Sequence, residues 1–300
     1  MVPFSDRLAE AVRRKGPLCV GIDPRWDMLP LHIREFSLAE PERILNHCAQ
    51  LTAAFCVHAL KLVEPYTGVA KVQAAFFELF GPPGFQALSS VIEAAHKLNL
   101  VVILDAKRGD IASTATAYAD AAFAGCTIEG ITYPIWNADA LTINPYLGAD
   151  AVEPFLTAAK ASQRGVFVLV RNSNAGSGLF QDLRCEGQPL YRHVAAEVGK
   201  WNAPTIGESG LGDVGAVVGA THPRELAELR ALLPSVWFLV PGYGVQGGSA
   251  ADVKAAYRAD GLGAIVNSSR GVVFPFKPDD PDWEGKIIAA AKKASAELRP

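Results

Sequence analysis

Within residues 101–111, VVILDAKRGDI, an apolar run ends in two carboxylates and two cations. Asp105 and Lys107 are two positions apart, so on a strand they project from one face, with Val101 and Ile103 beneath them. Arg108 has the opposite parity, Gly109 permits a turn, and Asp110 opens the next helical segment. Lys71 ends the preceding apolar run and comes within reach of Asp105. Alternating cations and anions tune one another's pKa values and set fixed charge against a substrate. Two plainer readings stand beside this one. Asp105 and Lys107 also fit a simple ion pair at a strand end, and Asp110 fits a helix N-cap near Ser113 and Thr114.

The choice depends on the elements that carry these residues. Short apolar runs rich in Val, Ile and Leu predict strands at 18–23, 69–73, 101–107, 140–145, 166–172, 214–220, 237–242 and 263–269. Their near-continuous hydrophobicity fits strands covered on both faces. Helical patterns lie between them, including PERILNHCAQLTAAFCVHALKLV, FQALSSVIEAAHKLN, TATAYADAAFAG, LYRHVAAEVGKW and AADVKAAYRA, and DWEGKIIAAAKKASAEL closes the chain. Eight strands each followed by a helix predict an α/β fold, a (β/α)8 TIM barrel, formed by residues 1–300 as a single domain. A doubly wound open sheet is the rival, but GIDPRWD follows the first strand where that fold more often carries a glycine-rich fingerprint. Two stretches exceed what a barrel needs, 126–139 and 172–190. The second leaves the C-terminal end of a strand, where barrel active sites lie, and its Gly and Ser content suits a lid.

Composition bounds the function class. The 300 residues are half apolar and one fifth charged, with a net charge of −3, which gives no footprint for nucleic acid or an acidic membrane. No run approaches a transmembrane length, and the N-terminal segment lacks the apolar region of a secretory signal. The five cysteines form no CxxC pair, which fits a reduced, cytoplasmic chain. The six histidines form no metal-binding spacing, which gives a histidine-based metal site little support.

At barrel strand ends the sequence places Asp23, Lys71, Asp105, Lys107, Asn144, Ser173, Gln246 and Arg270. PGYGVQGGSA (241–250) follows the seventh strand and NSSRG (267–271) the eighth. These are the recurrent phosphate-binding positions of the architecture, where glycines let backbone N–H groups approach phosphate oxygens and Arg270 forks onto them. The residues alone therefore predict an enzyme acting on a small phosphorylated compound.

The set GID (21–23), AKVQAAFFE (70–78), LDAKRGDI (104–111), NPYLG (144–148), NSNAGSG (172–178), VVGATHP (217–223), PGYGVQGG (241–248) and NSSRG resembles the orotidine 5′-phosphate decarboxylase family, in its longer bacterial branch. Val72 departs from the proline expected after the lysine. The resemblance implies conversion of orotidine 5′-monophosphate to UMP and CO2 in pyrimidine biosynthesis, without a cofactor. It implies Lys107 as proton donor, with Asp105 and Lys71 beside it in the catalytic array. Asp110 would complete that array across a homodimer interface, with Ile111 and Thr114 also reaching the partner's substrate. Asp23 and Lys71 would bind ribose hydroxyls, Ser173 the pyrimidine, and Gln246 and Arg270 the phosphate. Pro241 and Ser269 would complete the substrate pocket. Alternatives are a Mg²⁺-dependent hexulose-phosphate synthase or keto-gulonate-phosphate decarboxylase on the same fold, or a non-catalytic phosphate-ligand binder. NSNAGSG, Gln246 and DAKRGDI favour the nucleotide enzyme, and the intact charged set argues against a binder.

Overall fold

The computed structural model describes residues 2–35, 43–244 and 247–300. Eight parallel strands close on themselves in sequence order: β1 (Leu18–Ile22), β2 (Val69–Gln73), β3 (Val101–Arg108), β4 (Ala140–Ile143), β5 (Gly165–Arg171), β6 (Val214–Val218), β7 (Phe238–Val240) and β8 (Ala264–Ser268), which pairs back onto β1. A helical segment follows each strand, so the expected (β/α)8 barrel is the observed one. Helices 44–63, 82–97, 190–202 and 283–297 lie close to their sequence patterns. The pattern at 250–259 is cut short. Ser249 and Asp252 form a reciprocal cap at its start, but the α-helix ends at Val253 and a single 3-10 turn at Ala256. Tyr257 is then extended, and its hydroxyl donates to the Leu298 carbonyl at 2.9 Å.

Strand alternation builds two cores. Val20, Val72, Val102, Leu104, Val168, Val218, Phe238 and Val266 face outward onto the helices. Val69, Val101, Ile103, Ala140, Phe167, Val217, Leu239 and Ile265 fill the barrel interior. Both sets are apolar, which is why the strands read as continuous hydrophobic runs. The N-terminal helix (Phe4–Lys15) inserts Phe4 and Leu8 into the interior set. Phe4 meets Phe167 edge-on at 6.1 Å. A side chain at Gly165 would collide with the Phe4 ring, and one at Gly215 with Phe167, so these strand glycines make room for the rings.

Both long stretches form small hairpins outside the barrel. Cys126–Ile128 pairs antiparallel with Ile131–Tyr133, and Arg184–Cys185 with Gln188–Pro189. Among the described residues, no helix is long and apolar enough to cross a membrane. All five cysteines are free thiols.

Asp139, one residue before β4, ties the N-terminal helix to the barrel. Its carboxylate accepts from Arg7 Nη1 at 2.5 Å, Arg164 Nη1, His96 Nε2 at 3.2 Å and the Val102 amide at 2.9 Å. Burial would raise this carboxyl, but the His96 and Arg7 bonds, the Arg7 charge and the Val102 amide outweigh it and hold it well below the usual carboxylate range. A depressed carboxyl contributes stability above its unfolded value of about 4 and loses it as pH falls below that value. Asp139→Asn, which leaves two arginines against a neutral amide, is expected to cost about 3 kcal/mol at pH 7 in denaturant unfolding. The gap to wild type should narrow as the pH falls below about 4. A gap that widens in acid would remove Asp139 from this role.

Candidate active site

The C-terminal ends of the strands surround a cavity of about 250 Å³, lined by Asp23, Lys71, Gln73, Asp105, Lys107, Thr142, Leu169, Asn172, Ser173, Asn174, Val217, Leu239, Pro241 and Asn267. Its floor, Leu169, Val217 and Leu239, is the top of the apolar interior. Its wall on the β1–β4 side is charged.

Asp105 is the centre of that wall and is only 6 % exposed. Its Oδ2 accepts from Lys71 Nζ at 2.6 Å and Gln73 Nε2 at 2.9 Å; its Oδ1 accepts from Lys107 Nζ at 2.7 Å and Thr142 Oγ1 at 2.8 Å. Burial would raise the Asp105 carboxyl, but the two ammonium groups outweigh it and hold it well below the usual range. Lys71 is likewise buried. Desolvation would lower its pKa, and the charges of Asp105 and Asp23 reverse this and raise it above the ordinary lysine value. Asp23 Oδ1 lies 3.9 Å from Lys71 Nζ and accepts no hydrogen bond among the described residues.

Asp105 and Lys107 meet, but not by plain strand alternation. Leu104 pairs with Leu141 and Arg108 with Ile143, so three residues of β3 stand opposite the single residue Thr142 of β4. This bulge re-aims the side chains at the strand end. Lys107 adopts the left-handed region, with φ of 46°. The Thr142 hydroxyl holds both ends, donating to Asp105 and accepting from the Lys107 amide at 3.0 Å. Lys107 itself is about half exposed and presents its ammonium to the cavity.

The other expected residues divide. Asp23, Ser173 and Pro241 line the cavity with the charged array. Asp110, Ile111 and Thr114 do not: the Asp110 carboxylate accepts from the Ile111 amide at 2.8 Å, and the helix cap at Ile111 has no side-chain bond, so the N-cap reading of Asp110 is not what forms. Asn144 turns into its own loop and accepts from the Tyr146 amide. Ser269 and Arg270 start the turn after β8 outside the cavity lining, with Ser269 packed against Gly21 and Arg270 exposed. Gln246 lies outside the described residues. Gln73, Thr142, Asn172, Asn174 and Asn267 were not expected. Gln73 follows Lys71 by two and Thr142 precedes Asn144 by two, so parity carried a signal for both.

The 172–190 segment closes the β5–β6 side. Arg171, 4 % exposed, places Nη1 2.9 Å from Asp182 of that segment and Nη2 3.6 Å from Glu225, above the Tyr191 ring. Asn172 donates its amide to Gln181, while Thr221 and His222 bond the Ser173 and Asn172 carbonyls. The Ser173–Asn174 wall is thereby fixed to the loop after β6.

Residues 16–278 match the orotidine 5′-phosphate decarboxylase / HUMPS family. The chain is 43 % identical over 307 aligned residues, covering all of both chains, to an orotidine 5′-phosphate decarboxylase of Rhodopirellula baltica. It is 39 % identical to one from Caldicellulosiruptor bescii, over 92 % of this chain and 91 % of that one. The solved structure of the Leishmania donovani OMP decarboxylase superposes with a TM-score of 0.75 at 38 % identity, covering 99 % of this chain and 97 % of that one. With a charged array at the mouth of a closed barrel and similarity along its whole length, the chain belongs to the orotidine 5′-phosphate decarboxylase / HUMPS family.

Proposed function

We propose that this chain, folded as one domain, decarboxylates orotidine 5′-monophosphate to UMP. The observation that carries the reading is the saturation of Asp105 by Lys71, Gln73, Lys107 and Thr142. Four donors occupy the carboxylate, so its charge serves to fix ammonium groups and not to ligate a divalent ion. That arrangement favours the nucleotide decarboxylase over the metal-dependent relatives.

The chemistry follows from the charge. When the C6–carboxylate bond breaks, its electron pair stays on C6 in an in-plane sp² orbital that the ring π system does not delocalise. A Lys107 ammonium beside C6 stabilises that pair and then transfers a proton to it, and solvent reprotonates the amine. Because Asp105 and Thr142 hold Lys107 before substrate arrives, little reorganisation is needed at the moment of reaction. Asp23 and Lys71, which line the cavity together, are proposed to bind the ribose hydroxyls. Ser173 and Pro241, both in the cavity lining, are assigned to the base. Ser269, Arg270 and Gln246 are assigned to the phosphate, for which Arg270 offers an exposed guanidinium just after β8.

Asp110, Ile111 and Thr114 are assigned to the second site of a homodimer. The position of all three outside their own chain's cavity, with Ile111 and Thr114 exposed, supports this, as do the exposed apolar residues Leu79, Ile111, Tyr146 and Leu147 on the adjacent loops after β2, β3 and β4. The five free thiols fit a reducing, cytosolic setting.

Loss of orotidine 5′-monophosphate absorbance is expected at the same rate with and without EDTA; activity lost to EDTA and restored by Mg²⁺ would favour the metal-dependent relatives. Lys107→Ala is expected to lower kcat by at least about 10³ with far less change in affinity. A variant keeping a tenth of wild-type kcat would displace Lys107 from the proton-donor role. Mixing inactive Asp110→Ala and Lys107→Ala chains should restore up to roughly a quarter of wild-type activity, because each C2 heterodimer has one site with both lesions and one with neither. Verified heterodimers without activity would place Asp110 in its own chain's site.

A further inference from the structure

The Lys107 backbone conformation carries a cost that its surroundings must offset. A left-handed conformation at a residue with a Cβ is unfavourable by roughly 1–2 kcal/mol and persists where the surroundings over-determine it. Thr142 holds the amide of Lys107, and Asp105 its ammonium. Both contacts lie within the bulge itself. The exit side is Arg108, where β3 pairs with Ile143 and its carbonyl accepts the Asn144 amide at 2.8 Å.

Arg108 is gripped from two elements. Its Nη2 lies 2.8 Å from Glu78 Oε1, on the short helix Ala75–Glu78 that follows β2, and its guanidinium sits 5.2 Å from the centre of the Tyr118 ring, on the helix that follows β3. The side chain is therefore drawn outward while that of its neighbour Lys107 turns inward. We infer that the Glu78–Arg108 ion pair is a positioning element for Lys107: by pinning the residue at which β3 rejoins β4, it holds the bulge in the form that aims the ammonium at Asp105 and the cavity. The pair touches no substrate; it acts through the backbone of Lys107. It also links the β2 strand end, which carries Lys71, to the β3 strand end, so both cations of the array are referred to one frame.

The inference rests on the decarboxylase reading, so wild-type turnover of orotidine 5′-monophosphate is measured in parallel. No turnover by wild type would defeat that reading, whereas wild-type turnover with unaltered variants would defeat only this inference. Arg108→Met and Glu78→Gln are each expected to lower kcat by about 10- to 100-fold, the scale of a displacement near 1 Å at the reacting group, with KM within about twofold of wild type. The double variant should be no worse than Arg108→Met alone, since the two residues act through one contact. Both residues are partly exposed, and the thermal midpoint and particle mass should be unchanged. A kcat within twofold of wild type in Arg108→Met, additive losses in the double variant, or losses that track a lowered midpoint or altered mass would each overturn it.

Discussion

One buried carboxylate organises the site. Asp105 stands at the boundary between an apolar barrel interior and a polar mouth, and an isolated charge there would be expelled or neutralised. It stays ionised because Lys71 and Lys107 reach it from two directions, and each lysine in turn is placed by that contact. Neither half is stable alone. Lys71 is buried as deeply as Asp105, so removing the carboxylate would strand an ammonium in the interior. The array is therefore a mutual constraint, with one cation buried as a fixed counterion and the other left half exposed toward a ligand.

The barrel supplies the rigidity this constraint needs. Inward residues on successive strands stack as apolar layers from Phe4 and Phe167 up to Leu169, Val217 and Leu239, and the charged residues form the next layer. Close packing below transmits position to the polar layer above. At the opposite end, Asp139 performs a related task with different partners, joining Arg7, Arg164 and His96 to the edge of β3. Both ends of the barrel thus depend on buried aspartates surrounded by donors, one serving closure of the fold and the other the chemistry.

The β5–β6 side works differently. Its wall is a loop segment, held by an arginine shared between a fixed carboxylate, Glu225, and one on the segment itself, Asp182. Asp182 is exposed while Arg171 is buried, so this side is joined by contacts only half shielded from water, whereas Asp105, Lys71 and Thr142 join the β2–β4 side by buried ones. A rigid wall of paired charges facing a less deeply buried polar one suits a site that must keep its charges fixed yet admit a nucleotide.

The sequence by itself determined the strand and helix order, because fully covered strands leave continuous Val, Ile and Leu runs whatever their partners. It also determined which residue types stand at the strand ends, and hence the Lys71–Asp105–Lys107 grouping. Tertiary structure decided how those residues meet. Parity places Asp105 and Lys107 on one face, but the actual contact depends on a bulge defined by the register of β3 on β4, and register is a property of two strands. The same bulge selects Thr142, on β4, over Asn144, which has the same parity but lies in the loop just past the strand end. Asp110 reads as part of the same charged run, yet the turn after Gly109 carries it out of its own cavity. A period of two residues fixes a face locally; which face meets which partner, and at what height, is fixed only when the neighbouring strand is in place.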